Sequence, residues 1–222
     1  MSDESRGDFE TVVVLFILLI IVGSSYIDGG ETMNPQFKSS CISEKEVRLK
    51  SAMRLVWEQH VYWTRMTIIS IAFNLPDVDF VTARLLRNAT DMGNLLRPFY
   101  GNDIAAKFSN LIREHLIIAA ELVKASKAGD QNAAAAAERR WYANGALISK
   151  FLSTINPNIS KNKFRAMFFE HLALTKSEAV FMLQKEFQSS IAVFNKIEAE
   201  ALQMADTITV AIVKQFPKKF QI

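Results

Sequence analysis

His60, His115 and His171 are the three imidazoles of this 222-residue chain, and they are spaced almost evenly, 55 and then 56 residues apart. Carboxylates stand close to them. Glu114 and Glu170 directly precede His115 and His171, and Glu178 follows His171 by two helical turns. Three neutral imidazole nitrogens with a carboxylate make a donor set suited to a divalent Zn, Fe or Mn ion. The same groups, buried without a metal, would have to satisfy one another through His–Glu and His–Thr hydrogen bonds that fix helix register. An unpaired carboxylate in an apolar seam is costly, so both readings demand partners for Glu178. The spacings of the familiar metal motifs are absent: the chain contains no Glu-x-x-His and no His-Glu-x-x-His.

Other residue types do less. The single cysteine, Cys41, excludes an internal disulfide and any zinc site built on two or four cysteines. A net charge of +3, with only the short basic pairs Arg139-Arg140 and Lys218-Lys219, argues against nucleic acid as a partner. Arg65 and Lys176 stand beside threonines and suit either an anion or a pairing carboxylate on a neighbouring helix. Trp57, Tyr62, Trp63, Trp141 and Tyr142 read as core or core-edge packing. Asn144, within the Trp141–Ile148–Phe151 stripe, reads as a register-setting polar residue, and Asp206 has no evident partner.

The elements that carry these residues are helices. Half of the chain is hydrophobic, and eight glycines and five prolines are too few for a turn-rich β protein. The breakers fall at Asn74–Asp77, Arg97–Gly101, Gly129-Asp130 and Asn156–Asn158, which predicts helices near 44–73, 77–96, 102–128, 131–155 and 160–216. A shift of 56 residues lays Lys107-Phe108 on Lys163-Phe164 and Glu114-His115-Leu116 on Glu170-His171-Leu172. His60-x-x-x-Thr64-Arg65 matches His171-x-x-x-Thr175-Lys176. Each histidine lies inside an apolar stripe of 4-3 spacing, such as Phe108, Leu111, His115, Ile118 and Leu122. The expected fold is all-α: an up-down helical bundle of ferritin-like or four-helix type, built from about three αα-hairpin repeats of roughly 55 residues. That register puts a turn near Gln184–Ser190, with one long helix as the alternative, and brings the three imidazoles to one level.

The N-terminus differs. Residues 1–10 are acidic, 11–27 form an uncharged apolar run, 28–43 a polar linker, 44–216 the bundle and 217–222 a tail. The run spans about 25 Å as a helix, just under a bilayer core of about 30 Å. It reads first as a short hydrophobic membrane helix, with a cleaved signal segment or a buried assembly contact as alternatives. Lys38, Lys45, Arg48 and Lys50 on its C-terminal side favour a cytoplasmic main domain.

Two resemblances follow from longer strings. VVVLFILLIIVGSSY resembles the hydrophobic core of very small sporulation-associated membrane proteins of spore-forming bacilli. That implies membrane association in a sporulating Gram-positive cell. WEQHVYWTRMTIISIAFNLPDVD, EHLIIAAELVKASKAGDQ and EHLALTKSEAV resemble a family of uncharacterised helical proteins of bacilli and clostridia, whose members often carry the label acetylglutamate kinase. The residues do not support that label, because the kinase chemistry needs strands feeding Gly-rich phosphate loops, and no GxGxxG or GxxxxGK[ST] pattern occurs. The functional expectation is a membrane-tethered, non-enzymatic bundle that binds a protein partner or a second copy, in envelope or spore biology. The alternative is a metal-binding bundle with redox or hydrolytic activity that uses the histidine layer.

Overall fold

Ser43 opens the first helix by accepting a hydrogen bond from the Glu46 amide at 3.3 Å, with Glu44 and Glu46 placed favourably in the positive first turn. A computed structural model describes residues 42–221, and the hydrophobic run at 11–27 lies outside them. α1 spans Glu44–Phe73 and stops where Asn74 turns left-handed ahead of Pro76. α2 spans Val78–Ala128, α3 Gln131–Ile155, α4 Lys161–Leu183 and α5 Phe187–Gln215, followed by a 3-10 turn at Pro217–Lys219. Among the described residues there is no strand, and the chain is an all-helical bundle.

α2 is two helical arms joined at one residue. Gly101 has φ 81°, a conformation open to glycine, and Pro98 lacks an amide to continue the ladder. The chain doubles back there. Gly93 in the first arm lies so close to Ala105 and Ser109 in the second that a Cβ at 93 would sit 2.7 Å from the Ala105 carbonyl oxygen. This matches the break read at Arg97–Gly101. Between α4 and α5, Lys185 at φ 62° ends one helix before the next, so the segment 160–216 is two helices rather than one.

The helices pack in chain order, α1 on α2, α2 on α3, α3 on α4 and α4 on α5, and α5 closes back onto α1. The main core draws on all five, with Phe164, Leu172, Ile148, Met204 and Ile212 almost fully enclosed. Each large side chain removed from water contributes about 1.5–3 kcal/mol. A smaller cluster of Ile68, Ile71, Val123, Ala179 and Met182 fills the far end. The opposite end is fastened by polar groups. The Tyr100 hydroxyl donates to Gln215 and accepts from Asn156, and Gln215 donates to the Ile155 carbonyl. Of residues 217–222, expected as a tail, Phe220 enters this end, where it stacks on Phe99 at 5.7 Å. Lys219 donates there to the Pro98 carbonyl.

Candidate functional site

Each histidine is buried, and each donates from Nδ1 to an oxygen on the next helical segment. His60 bonds Asn88 Oδ1 at 3.2 Å, His115 bonds Asn144 Oδ1 at 3.1 Å and His171 bonds Glu200 Oε2 at 2.9 Å. The amide nitrogens of the two asparagines fix these roles. Asn88 Nδ2 donates to the Val56 carbonyl and Asn144 Nδ2 to the Leu111 carbonyl, so the oxygens face the rings and the ring Nδ1 carries the proton. Burial, reinforced by His171, pushes the His60 pKa down to about 3. His115 is also held well below the ordinary histidine value, by burial and then by the other two rings. Both are neutral at physiological pH, with Nε2 left as the basic nitrogen.

The rings form a continuous row through the interior. Trp57 meets His60 edge-on at 6.0 Å, and His60 lies 5.8 Å from His171. Phe168 touches both His171 and His115, and His115 stacks on Trp141 at 5.3 Å. The apolar faces of the imidazoles are thereby covered, and the charged forms of His60 and His115 are disfavoured.

The carboxylates named from the sequence do not gather around this row. Glu178 is 1% exposed but pairs with Arg65, whose guanidinium also reaches Ser190 Oγ at 3.1 Å and lies over the Phe194 ring. Burial still lifts the Glu178 pKa to about 7, against the lowering pull of Arg65. Glu114 is exposed and accepts from Asn144 Nδ2 at 3.2 Å, while Glu170 faces solvent. Glu200 takes the place expected of Glu178, and one of its oxygens, Oε1, is buried without a hydrogen-bond partner. Among the described residues no group of three His, Cys, Asp or Glu side chains is arranged to hold a metal ion.

Asn88 and Glu200 escaped the sequence reading although the signal was present. Asn88, Asn144 and Glu200 follow one another at the same 56-residue shift that aligned His115 with His171. Lys176 and Asp206 also find partners. Lys176 pairs with Glu138 at 2.6 Å, and Asp206 accepts from two Arg54 nitrogens at 2.9 Å with Lys50 nearby.

Fold and site thus define an all-helical bundle with a buried row of histidines. The model of YjcZ_2, a family of unknown function, matches residues 11–27. No curated protein and no solved structure matches the chain. No helix of the described residues is long and apolar enough to cross a membrane.

Proposed function

We propose that this chain is a membrane-tethered helical-bundle module, built from three αα-hairpin repeats, that acts by binding in envelope or spore biology and not by catalysis. One observation carries the reading: every imidazole gives its Nδ1 proton to a partner 28 or 29 residues ahead. A polar row committed inward in this way sets register and depth, and it leaves no ring N–H to serve a substrate as a proton donor, only basic Nε2 atoms on rings 2–5% exposed. The even 56-residue spacing of Asn88, Asn144 and Glu200 supports three copies of one hairpin. The tether is the uncharged run 11–27, which joins the bundle through the polar segment 28–43. Acetylglutamate kinase activity finds no support in a bundle that lacks strand-fed phosphate loops among its described residues.

Deleting residues 1–30 tests the tether. The full chain pellets with membranes and the truncated chain appears in the soluble fraction; pelleting by both refutes the tether.

A second reading, a metal-binding layer, is favoured by the Nδ1 protons, because a ligating histidine donates its other nitrogen to a carboxylate or amide oxygen in the same way. His60, His115 and His171 would supply nitrogens and Glu200 its unpartnered oxygen, after a rearrangement that closes the row. Metal analysis of untagged protein decides between the two. Content near one equivalent establishes this second reading, and content below about a tenth of an equivalent removes it.

A further inference from the structure

α1 is apolar on two opposite faces. One face enters the core through Met53, Val56, His60 and Thr67. The other is turned outward, and Leu55, Tyr62, Met66, Ile69 and Phe73 lie along it. With Gln59 these residues follow 4-3-4-3-4 spacing, a period of 3.5 that keeps one seam against a partner helix as the two supercoil. A helix on the outside of a bundle ordinarily turns charge to the water. Between Leu55 and Phe73, α1 carries only Glu58 and Arg65, and Arg65 is already paired with Glu178.

α5 widens the stripe. Its Phe187 meets Phe73 at 6.0 Å and its Phe194 meets Tyr62 at 5.4 Å, which brings Ile191 to the level of Met66. Leu55, Tyr62, Met66, Phe73, Phe187 and Ile191 are each between 37% and 55% exposed. Together they present about 600 Å2 of apolar surface, at the top of what a typical monomer leaves bare in one patch.

We propose that a second copy of this chain covers the stripe, α1 against α1 in antiparallel order about a two-fold axis near Thr64. The proposal deepens the reading of the chain as a binding module and rests on it. A two-fold contact requires a surface that matches itself. The 4-3-4-3-4 spacing reads the same from either end, so reversing the helix brings seam positions onto seam positions. Leu55 comes opposite Phe73 of the second copy, Gln59 opposite Ile69, and Tyr62 opposite Met66, where a thioether meets a ring. Mutual cover removes about 1,200 Å2 in total, which reaches the range of stable specific interfaces before any polar rim is counted. Phe187 and Ile191 flank only the C-terminal half of the seam, and antiparallel order sets them beside the narrower Leu55 half of the other copy.

The full-length protein in dodecyl maltoside is followed by sedimentation equilibrium, and a reversible dimer is expected. Leu55→Glu and Met66→Glu each put a charge into the seam at a site the bundle core does not use. Each should raise the dissociation constant at least about a hundredfold with helicity unchanged. A nitroxide on Ser51→Cys in a Cys41→Ser chain should report an interspin distance of about 40 Å, because helices crossing at residue 64 hold the two labels at opposite ends. A distance of about 10 Å would mean parallel helices and overturn the arrangement. A dimer indifferent to both glutamates, or a monomer at about 100 μM, overturns the pairing. If that monomer's Met66 is shielded from peroxide by vesicles of phosphatidylcholine and phosphatidylglycerol, a bilayer and not a second copy covers the stripe. The tether is scored separately by pelleting, so a monomer that still pellets with membranes defeats the pairing alone.

Discussion

Asn88 grips α1 at two points one turn apart: its side-chain oxygen takes the Nδ1 proton of His60 at 3.2 Å, and its nitrogen donates to the Val56 carbonyl at 2.9 Å. Asn144 repeats the arrangement on His115 and Leu111. A carboxamide read from both ends tolerates no slip of one helix along the other, because a shift of one residue would break both bonds and leave the ring N–H bare. His171 meets the carboxylate of Glu200 in the same way, and so brings an acidic group into the core where Asn88 and Asn144 do not.

Replacing Asn88 by Ala leaves the buried His60 Nδ1–H without an acceptor and removes the second bond to the Val56 carbonyl, and should cost about 1–3 kcal/mol in urea unfolding. Replacing His60 and Asn88 together by Leu removes both ends of the contact and should recover most of that loss. A double variant no more stable than Asn88→Ala would show that the row contributes more than pairwise satisfaction.

The level of the histidines was legible because a repeat shift is a statement about depth along a bundle, and depth is what the 55- and 56-residue spacings encode. The carboxylate was misplaced for a related reason. An apolar stripe says that Glu178 faces inward, but not which neighbour it faces. In the structure α4 turns Glu178 toward Arg65 of α1 and His171 toward Glu200 of α5. Helix ends at Asn74, Gly101 and Gly129 followed from residues that accept a left-handed backbone. The end of α4 did not, since the positive φ falls on Lys185, a residue with no such preference. Phe220 was equally hidden, because its burial depends on Phe99, which is remote in sequence.

Acid should unfold this bundle earlier than its composition suggests. His60 and His115 titrate well below the ordinary value of 6.5 when folded, so the unfolded chain binds protons first and stability falls as pH drops below about 6.5. Glu178 acts in the opposite sense between 4.5 and about 7, where the folded state holds the extra proton. The two histidines together outweigh Glu178, so stability falls as pH drops below about 6.5, and falls more steeply below 4.5 where Glu178 no longer opposes them. Urea titrations at roughly neutral pH and at unit steps down to about pH 4 measure the slope. The His60→Leu, Asn88→Leu pair should flatten it by one group, and an unchanged slope would rule out His60 as a source.

Arg65→Met removes the cation that faces Glu178 and leaves the carboxyl enclosed. Protonated, the carboxyl tolerates this; ionised, it does not. The variant should therefore lie close to the parent near pH 4.5 and fall progressively behind as pH rises through about 7, where the parent itself begins to bury a charge. A deficit that is the same on both sides of that value would assign the effect to lost packing on Phe194 instead of to charge.

The sharpest steric demand on the sequence lies at Gly93. A methyl group there would collide with Ser109 Oγ and would meet the Ala105 carbonyl oxygen at 2.7 Å. The serine can rotate away, but the carbonyl belongs to the second arm of α2 and is held by its own helix. Gly93→Ala must therefore push the two arms apart just below the reversal at Gly101. The helical propensity gained, about 1 kcal/mol, is outweighed by overpacking of about 1–3 kcal/mol and by the packing that loosens as the arms separate. Thermal unfolding should show a net loss, and Ser109→Ala in the same chain should restore little of it, since the backbone clash remains. Full rescue by Ser109→Ala would mean that the side chain, and not the close approach of the two arms, is what requires glycine at this position.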